Sequence, residues 1–539
     1  MGNSKNLFTR NNVLKNNILK NNTQKINILK VIKLNNSKNI FIILFISQLF
    51  FSFELYSQFI NEEYLIENLK QLSSSEFKGR KPTQETFRTV QDYLVTKYKE
   101  NGLNDITNNY EQIFDLPTHY SYDGSSSLSF NIIIPKLGVP IEKIKPRMNI
   151  LTNGVDWSPM SMSNNGNFEG EIAFLGYGIS AKDLKYDDYE GIDVNGKAVI
   201  ILTDSPDGDK QDSKFKPFTR YSYKIKNAFE HGAKAVIFLK TQGDSANVFM
   251  PLEYFEYGEK KDILVLQGNR TTISKYFPNN AQLKIVEEKI NTDKKTNSFI
   301  LANSTVDIKL NLIVTYTQSS NIVGFIEGTD SKLKDEILLV GAHYDHLGEG
   351  AMNSLANSSY GKIHFGADDN ASGTAAIISI SKYFNENKPK RSLMFVLFTG
   401  EESGLLGSKY FVKSELMTKY NIVSMINVDM IGRYKDNILV GGVGTDKSFT
   451  DIVNKTNENY NFKLNLEQSG KAPSDSETFY LKNKPVLFFF TGIHEDYHTP
   501  RDTFDKIKKI EYVKITNMIL EVIDKITNLE NSLEFIKVD

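Results

Sequence analysis

From about residue 320 onward, short apolar runs alternate with amphipathic stretches, and few architectures accept that alternation. NIVGFIEG, EILLVGAHYDH, RSLMFVLFTG, IVSMINVDMIG, NILVGG and KPVLFFFTG read as strands. SGTAAIISISKYFNEN, GLLGSKYFVKSEL and the closing FDKIKKIEYVKITNMILEVIDKITNL read as helices. Strands this apolar need cover on both faces, which points to a largely parallel sheet. The expected fold class is α/β, a three-layer α/β/α sandwich around a mostly parallel central sheet. In such sheets, sites form beyond the carboxyl ends of the strands.

The chain has 539 residues, too many for one ordinary core. Helical periodicity runs over residues 60–103 and is broken by FKGRKP. Over 145–305 the texture changes to short β-type runs with many turn residues, as in GEIAFLGYGI and GKAVIIL. The expected division is a leader at 1–57, a first part of the main domain at 58–144, a β-rich insert at 145–305 and the main catalytic part at 306–539. Residues 1 to about 39 are rich in Asn and Lys, and IFIILFISQLFFSF at 40–53 follows them. That run is shorter than the ~20 residues of a spanning helix. It reads as a signal peptide cut near Ser57, or else as an uncleaved signal-anchor, and either places the rest of the chain outside the cytoplasm. A net charge of -1 gives no sign of a nucleic-acid binder or a polybasic membrane protein. The absence of cysteine excludes disulfides, a thiol nucleophile and thiolate zinc.

Several of the strands end in metal-ligand residue types. GAHYDHLG contributes His343, Asp345 and His346, and GADDNASG contributes Asp368 and Asp369. FTGEESG contributes Glu401 and Glu402, INVDMIG contributes Asp429, and IHEDYHTPRDT contributes His494, Asp496, Tyr497 and His498. Each has an ordinary reading on its own. A His-x-Asp pair is commonly a surface pair, and Asn370 or Ser372 before Gly373 suits a helix cap. Two glutamates after a strand favour a helix start. Asp429 within an apolar run is harder to dismiss, because a buried carboxylate needs a partner. Convergence of all five segments on one sheet edge favours a cation site of mixed imidazole and carboxylate ligands, which suits Zn²⁺. Two histidines and three carboxylates fit two metals sharing a bridging carboxylate better than one.

Taken together and in this order, GAHYDHLG, GADDNASG, GEESGLLGS, NVDMIGR and DYHTPRDT resemble the secreted bacterial dizinc aminopeptidases. Glutamate carboxypeptidase II is a relative of that family, and the transferrin receptor shares its fold. The stretch 145–305 resembles the protease-associated domain inserted in many members. The resemblance implies that His343 and Asp429 hold one zinc, Glu402 and His498 the other, and that Asp369 bridges them through a segment with a cis bond to Asn370. It implies that Asp345 orients His343, that Glu401 is the general base, and that Tyr497 steadies the tetrahedral intermediate. His346 and His494 lie beside ligands and suit structural hydrogen bonding or else contact with substrate, and Asp502 suits a cap for the closing helix rather than a metal ligand. Arg433 and Arg501 suit structural pairing with site carboxylates, with the reading of a substrate carboxylate as the alternative, and Asp475 either a bond within the site or a turn.

The function these readings favour is aminopeptidase action on peptide or protein N-termini, with two Zn²⁺ per chain. A carboxypeptidase or dipeptidase of the same fold is the alternative. A glutaminyl-cyclase-like transferase and a non-catalytic receptor module are further ones. No nucleic-acid partner is expected, and a membrane contact only if the leader is an uncleaved anchor.

Overall fold

Apolar runs bounded by turn residues become fully buried strands, and these form the centre of an eight-stranded sheet. Its strands are β1 (Glu111–Tyr122), β2 (Leu312–Ile326), β3 (Ile337–His343), β4 (Ser392–Phe398), β5 (Ile422–Val428), β6 (Ile438–Gly441), β7 (Leu464–Glu467) and β8 (Val486–Phe490). Every residue of β3 and β4 is buried. The spatial order is β1-β2-β4-β3-β5-β8-β6-β7. The central strands β4, β3, β5 and β8 are parallel, while β1, β2 and β4 pair antiparallel at one edge and β6 runs antiparallel to β8 at the other. This computed structural model describes residues 59–538 except 123, 209, 211, 243–247, 257–260, 278–281, 351–352 and 356–360. The leader with its apolar run at 40–53 lies outside the described residues, and no helix among those described is long and apolar enough to cross a membrane.

Helices cover both faces, as the two-sided apolarity of the strands requires. On one side α3 (Gly373–Glu386) lies on β3, β4 and β5, with α1 (Glu62–Leu72) and α6 (Lys509–Thr527) packed over it and α2 (Phe87–Glu100) against β2. On the other, Phe411 of α4 (Leu406–Phe411) and Phe479 of α5 (Ser476–Tyr480) meet Leu339, Met394, Val396 and Met425 from the sheet. The order of strands β4-β3-β5 places the ends of three successive crossovers side by side. His343, the loop after Phe398, and Asp429 therefore share one sheet edge.

A second eight-stranded sheet lies between β1 and β2 in sequence. Its order is Arg147–Leu151, Ser127–Ile132, Phe299–Leu310, Gly166–Phe174, Ala198–Leu202, Ala235–Leu239, Leu264–Gly268 and Trp157–Pro159. It begins at Ser127, ahead of residue 145, because the alternation of SLSFNI buries Leu128 and Phe130 in the second core. Its last strand, Phe299–Leu310, leads through Asn311 straight into β2 of the first sheet.

Within this second core Lys224, on the helix Tyr221–Glu230, is fully buried. Its Nζ donates to Leu202 O and Asp204 O, each at 2.7 Å. Burial pulls its pKa down to about 7, with Asp204 and Asp188 working against that shift. The unfolded chain therefore binds more protons than the folded one between about pH 7 and the ordinary lysine value, so this group adds stability as pH rises through that window. Replacing it by Met should remove that rise. Denaturant unfolding of wild type and Lys224→Met at pH 7 and pH 9.5 checks this: the difference between them should shift in favour of wild type at the higher pH.

Candidate metal centre

The carboxylate of Asp369 lies at the middle of the carboxyl edge of the first sheet, between two histidines. One oxygen, Oδ1, is 3.3 Å from His343 Nε2, and the other, Oδ2, is 3.2 Å from His498 Nε2. A second carboxylate accompanies each ring. Asp429 Oδ1 is 3.4 Å from His343 Nε2, and Glu402 Oε2 is 3.1 Å from His498 Nε2. All five side chains are buried.

Local structure explains how each arrives. His343 is the last residue of β3, and Asp429 follows the last residue of β5. Asp369 sits in an irregular segment, Ala367–Ser372, at the start of α3, and its bond to Asn370 is cis. Asn370 caps α3 by accepting from Gly373 N at 2.8 Å. The same oxygen accepts from Met430 N at 3.2 Å, and the amide nitrogen donates to Val428 O at 3.0 Å, which ties this segment to the end of β5. Gly373 permits the contact: a Cβ there would lie 2.4 Å from Val428 O. Of the two candidate caps, Ser372 turns elsewhere and donates to Asp368 O at 2.7 Å.

The histidine tautomers suit a cation. His343 Nδ1 lies 3.2 Å from Asp345 O, and His498 Nδ1 lies 3.0 Å from Asn353 O. With those nitrogens protonated and donating, both Nε2 lone pairs face the carboxylates. His498 Nε2 and Asp429 Oδ1 are buried and without hydrogen-bond partners. Buried orphans of opposite ligand type that face a shared carboxylate are what a cation site requires. Donor atoms also cluster within 4.8 Å as His343–Glu401–Asp429 and as His346–Asp369–Glu402. His346, however, commits Nδ1 to Glu402 Oε1 at 2.6 Å. It holds the far oxygen of that carboxylate, while His498 faces the near one.

The adjacent glutamates differ in surroundings. Asp345 accepts from Glu401 N at 3.1 Å and from Glu402 N at 3.4 Å, which sets both residues from one carboxylate. Burial would raise Glu402, yet His498 and His346 hold its carboxyl down to about 2. Burial raises Glu401 well above the ordinary range; His343 opposes this, and Glu402, Asp475 and Asp429 add to it. Glu401 Oε2 is 3.9 Å from His343 Nε2, farther than either ligand-like carboxylate. Glu401 lines a cavity of about 180 Å³ with His343, Asp369, Asp429 and Tyr497. The Tyr497 ring stacks on His498 with centroids 3.8 Å apart, and burial together with Asp369 and Glu402 keeps its hydroxyl protonated.

Other residues settle into support. Asp502 does not cap α6. Its Oδ2 accepts from Asp368 N at 3.0 Å and Asp369 N at 3.1 Å, so it holds the Asp369 segment itself. The reason is steric: the chain after Asp502 first makes a short turn at Phe504–Lys506, and α6 starts only at Lys509. His494 Nε2 lies 3.4 Å from Asp368 Oδ2. Arg433 and Arg501 both pair with Asp496, at 3.2 and 2.9 Å. Asp475 is buried beside the centre and pushed up to about 7 by burial, with His343 opposing. His364 bonds to Ser354 Oγ at 2.8 Å. Arg80, which sequence reasoning passed over, sends its guanidinium into the same loops.

Replacing Asp345 by Asn removes one of the two carboxylate oxygens that accept from the Glu401 and Glu402 amides. Cation affinity should fall about 10- to 100-fold with the fold kept. Titration calorimetry with zinc, alongside circular dichroism, checks it.

Comparison with known proteins follows the same geometry. A probable zinc metalloprotease from Pyrenophora tritici-repentis is 32% identical over 116 residues, which is 22% of this chain and 25% of that protein. The chain thus spans about a quarter of the length of the first curated relatives it matches. Aminopeptidase YwaD from Bacillus subtilis is 24% identical over 327 residues, 57% of this chain and 66% of its own. A solved zinc aminopeptidase from Bacillus subtilis has the same fold, with TM-score 0.53 at 20% identity, over 89% of this chain and 98% of that one. Residues 321–523, which hold His343, Asp369, Glu402, Asp429 and His498, match the model of Peptidase family M28.

Proposed function

We propose that the chain is a zinc-dependent exopeptidase, an aminopeptidase that hydrolyses the N-terminal bond of peptides. The observation that carries this reading is the Asp369 carboxylate, with one oxygen towards His343 and Asp429 and the other towards His498 and Glu402. The two sets fit a pair of zinc ions sharing Asp369. The match to Peptidase family M28 over 321–523 and the likeness to aminopeptidase YwaD support the reaction class.

When bound, the ions would supply Lewis acidity and a lowered pKa for water at the site. The residues supply the rest. Glu401, raised and lining the cavity, takes the proton of the attacking water and returns it to the leaving amine. Tyr497 keeps its proton and donates to the oxygen on which negative charge develops. The Asp345 backbone carbonyl faces His343 Nδ1 and orients that ring, while its carboxylate holds the backbone of both glutamates. Met430, Leu439, Phe488, Phe490 and Ile493 line the cavity and favour an apolar side chain on the substrate's first residue. Arg433 and Arg501 are engaged by Asp496 rather than presented to a substrate carboxylate. The basic leader and the apolar run 40–53 support export.

Two substitutions separate the glutamates. Glu401→Gln should keep zinc and lower kcat about 100-fold or more, whereas Glu402→Gln should lose affinity for one of two zincs. Metal analysis beside turnover distinguishes them; zinc loss in both contradicts the assignment. Substrate class is checked by chelator-sensitive hydrolysis of free and N-acetylated amino-acid amides. Activity restricted to free amines is expected, and equal cleavage of blocked substrates contradicts an aminopeptidase.

A further inference from the structure

FKGRKP, residues 77–82, interrupts the helical pattern between α1 and α2, and its conformation is specific. Lys78, Gly79 and Arg80 take φ values of 44°, 75° and 52° in succession. The segment is thereby laid against residues 346–348: His346 N donates to Arg80 O at 3.1 Å, and Gly348 N donates to Gly79 O at 2.9 Å. Only glycine fits at 79, since a Cβ would lie 2.3 Å from His364 O.

Arg80 is fully buried. Its Nε donates to Tyr344 O at 2.9 Å, and Nη1 donates to Leu72 O at 2.7 Å and Phe365 O at 2.8 Å. Nη2 donates to Gly366 O at 2.9 Å and reaches Asp369 O at 3.4 Å. Tyr344 stands between His343 and Asp345, and Phe365 and Gly366 lead into Asp369. One planar group thus spans the loop after β3 and the segment before α3. A buried cation whose partners are all neutral carbonyls is costly by itself. Burial does lower Arg80 to about 10, but Asp369, Asp502, Asp345 and Glu402 act in the opposite sense and hold it charged at neutral pH. A lysine carries one point of charge and lacks the fixed fork that serves several carbonyls at once.

We propose that Arg80 is a positioning residue of the metal centre: its guanidinium sets the spacing between His343 and Asp369 by clamping the backbone of both loops. The inference rests on the zinc reading above. It also gives FKGRKP a role, since the segment that precedes β1 and the whole second sheet in sequence reaches back to the centre carried by β3 and α3.

Arg391 provides an internal control. It is equally buried, it pairs with Glu336 at 2.8 Å, and it donates to Asn531 O at 2.8 Å and to Leu529 O. It precedes the amino end of β4, at the opposite edge of the sheet from the centre. The test compares Arg80→Lys with Arg391→Lys in the full-length protein, measuring melting temperature, zinc affinity, and kcat and KM at saturating zinc. Arg80→Lys should weaken zinc binding about 10-fold or more and lower kcat with KM little changed, while Arg391→Lys should lower only the melting temperature. Arg80→Lys with wild-type zinc affinity and kcat overturns the inference. If Arg80→Lys does not fold, Gly348→Ala decides. Its Cβ would lie 2.6 Å from Lys81 Cβ and displace the segment with the guanidinium still present. The same losses support the inference, and unchanged zinc affinity and kcat overturn it. Wild-type protein that binds no zinc overturns the reading beneath it, a result distinct from a zinc-binding wild type with an unaffected Arg80→Lys.

Discussion

The buried Asp369 carboxylate is the group on which the rest of the site depends. A carboxylate at 3% exposure, facing two imidazoles, needs compensation that the protein distributes over several elements. Burial works to raise Asp369, and His346, His343 and His498 together hold it well below the ordinary range. Its backbone is fixed separately. Asp502 accepts from its amide, and Asn370 ties its neighbour to β5 and caps α3. A shared oxygen donor is useful only if the two sides keep their distance, and the parallel centre of the sheet supplies that rigidity.

The surrounding electrostatics divide two adjacent residues. Glu402 and Glu401 share a turn and an acceptor of their backbone amides, Asp345, yet they differ in the balance between burial and imidazole neighbours. Glu402 has two rings against it and is held ionised. Glu401 has one ring and three carboxylates, so its proton is retained more readily. A group that must accept and return a proton needs the second environment, and one that faces a cation needs the first.

Much of this was legible in the sequence. The apolar runs marked the strands because full burial demands them, and four acidic or histidine-bearing strand ends converged with the Asp369 segment before α3 because parallel strands share one carboxyl edge. What was not legible depends on contacts across long sequence separations. Asp502 looked like a helix cap because a carboxylate before a helix usually is one, but α6 begins only at Lys509 and the side chain reaches back to Asp368 and Asp369. FKGRKP looked like a break between helices, and nothing local shows that Arg80 meets carbonyls more than 260 positions away in the chain. The second sheet starts at Ser127 because the hairpin of Ser127–Ile132 with Arg147–Leu151 joins it, ahead of the short β-type runs and turn residues that marked residue 145.

Anomalous diffraction at the zinc edge tests the shared carboxylate most directly. Crystals grown with zinc should give two peaks about 3.5–4 Å apart, each about 2.0–2.2 Å from a different oxygen of Asp369. One peak would contradict a bridging Asp369, as would two peaks with Asp369 touching only one of them.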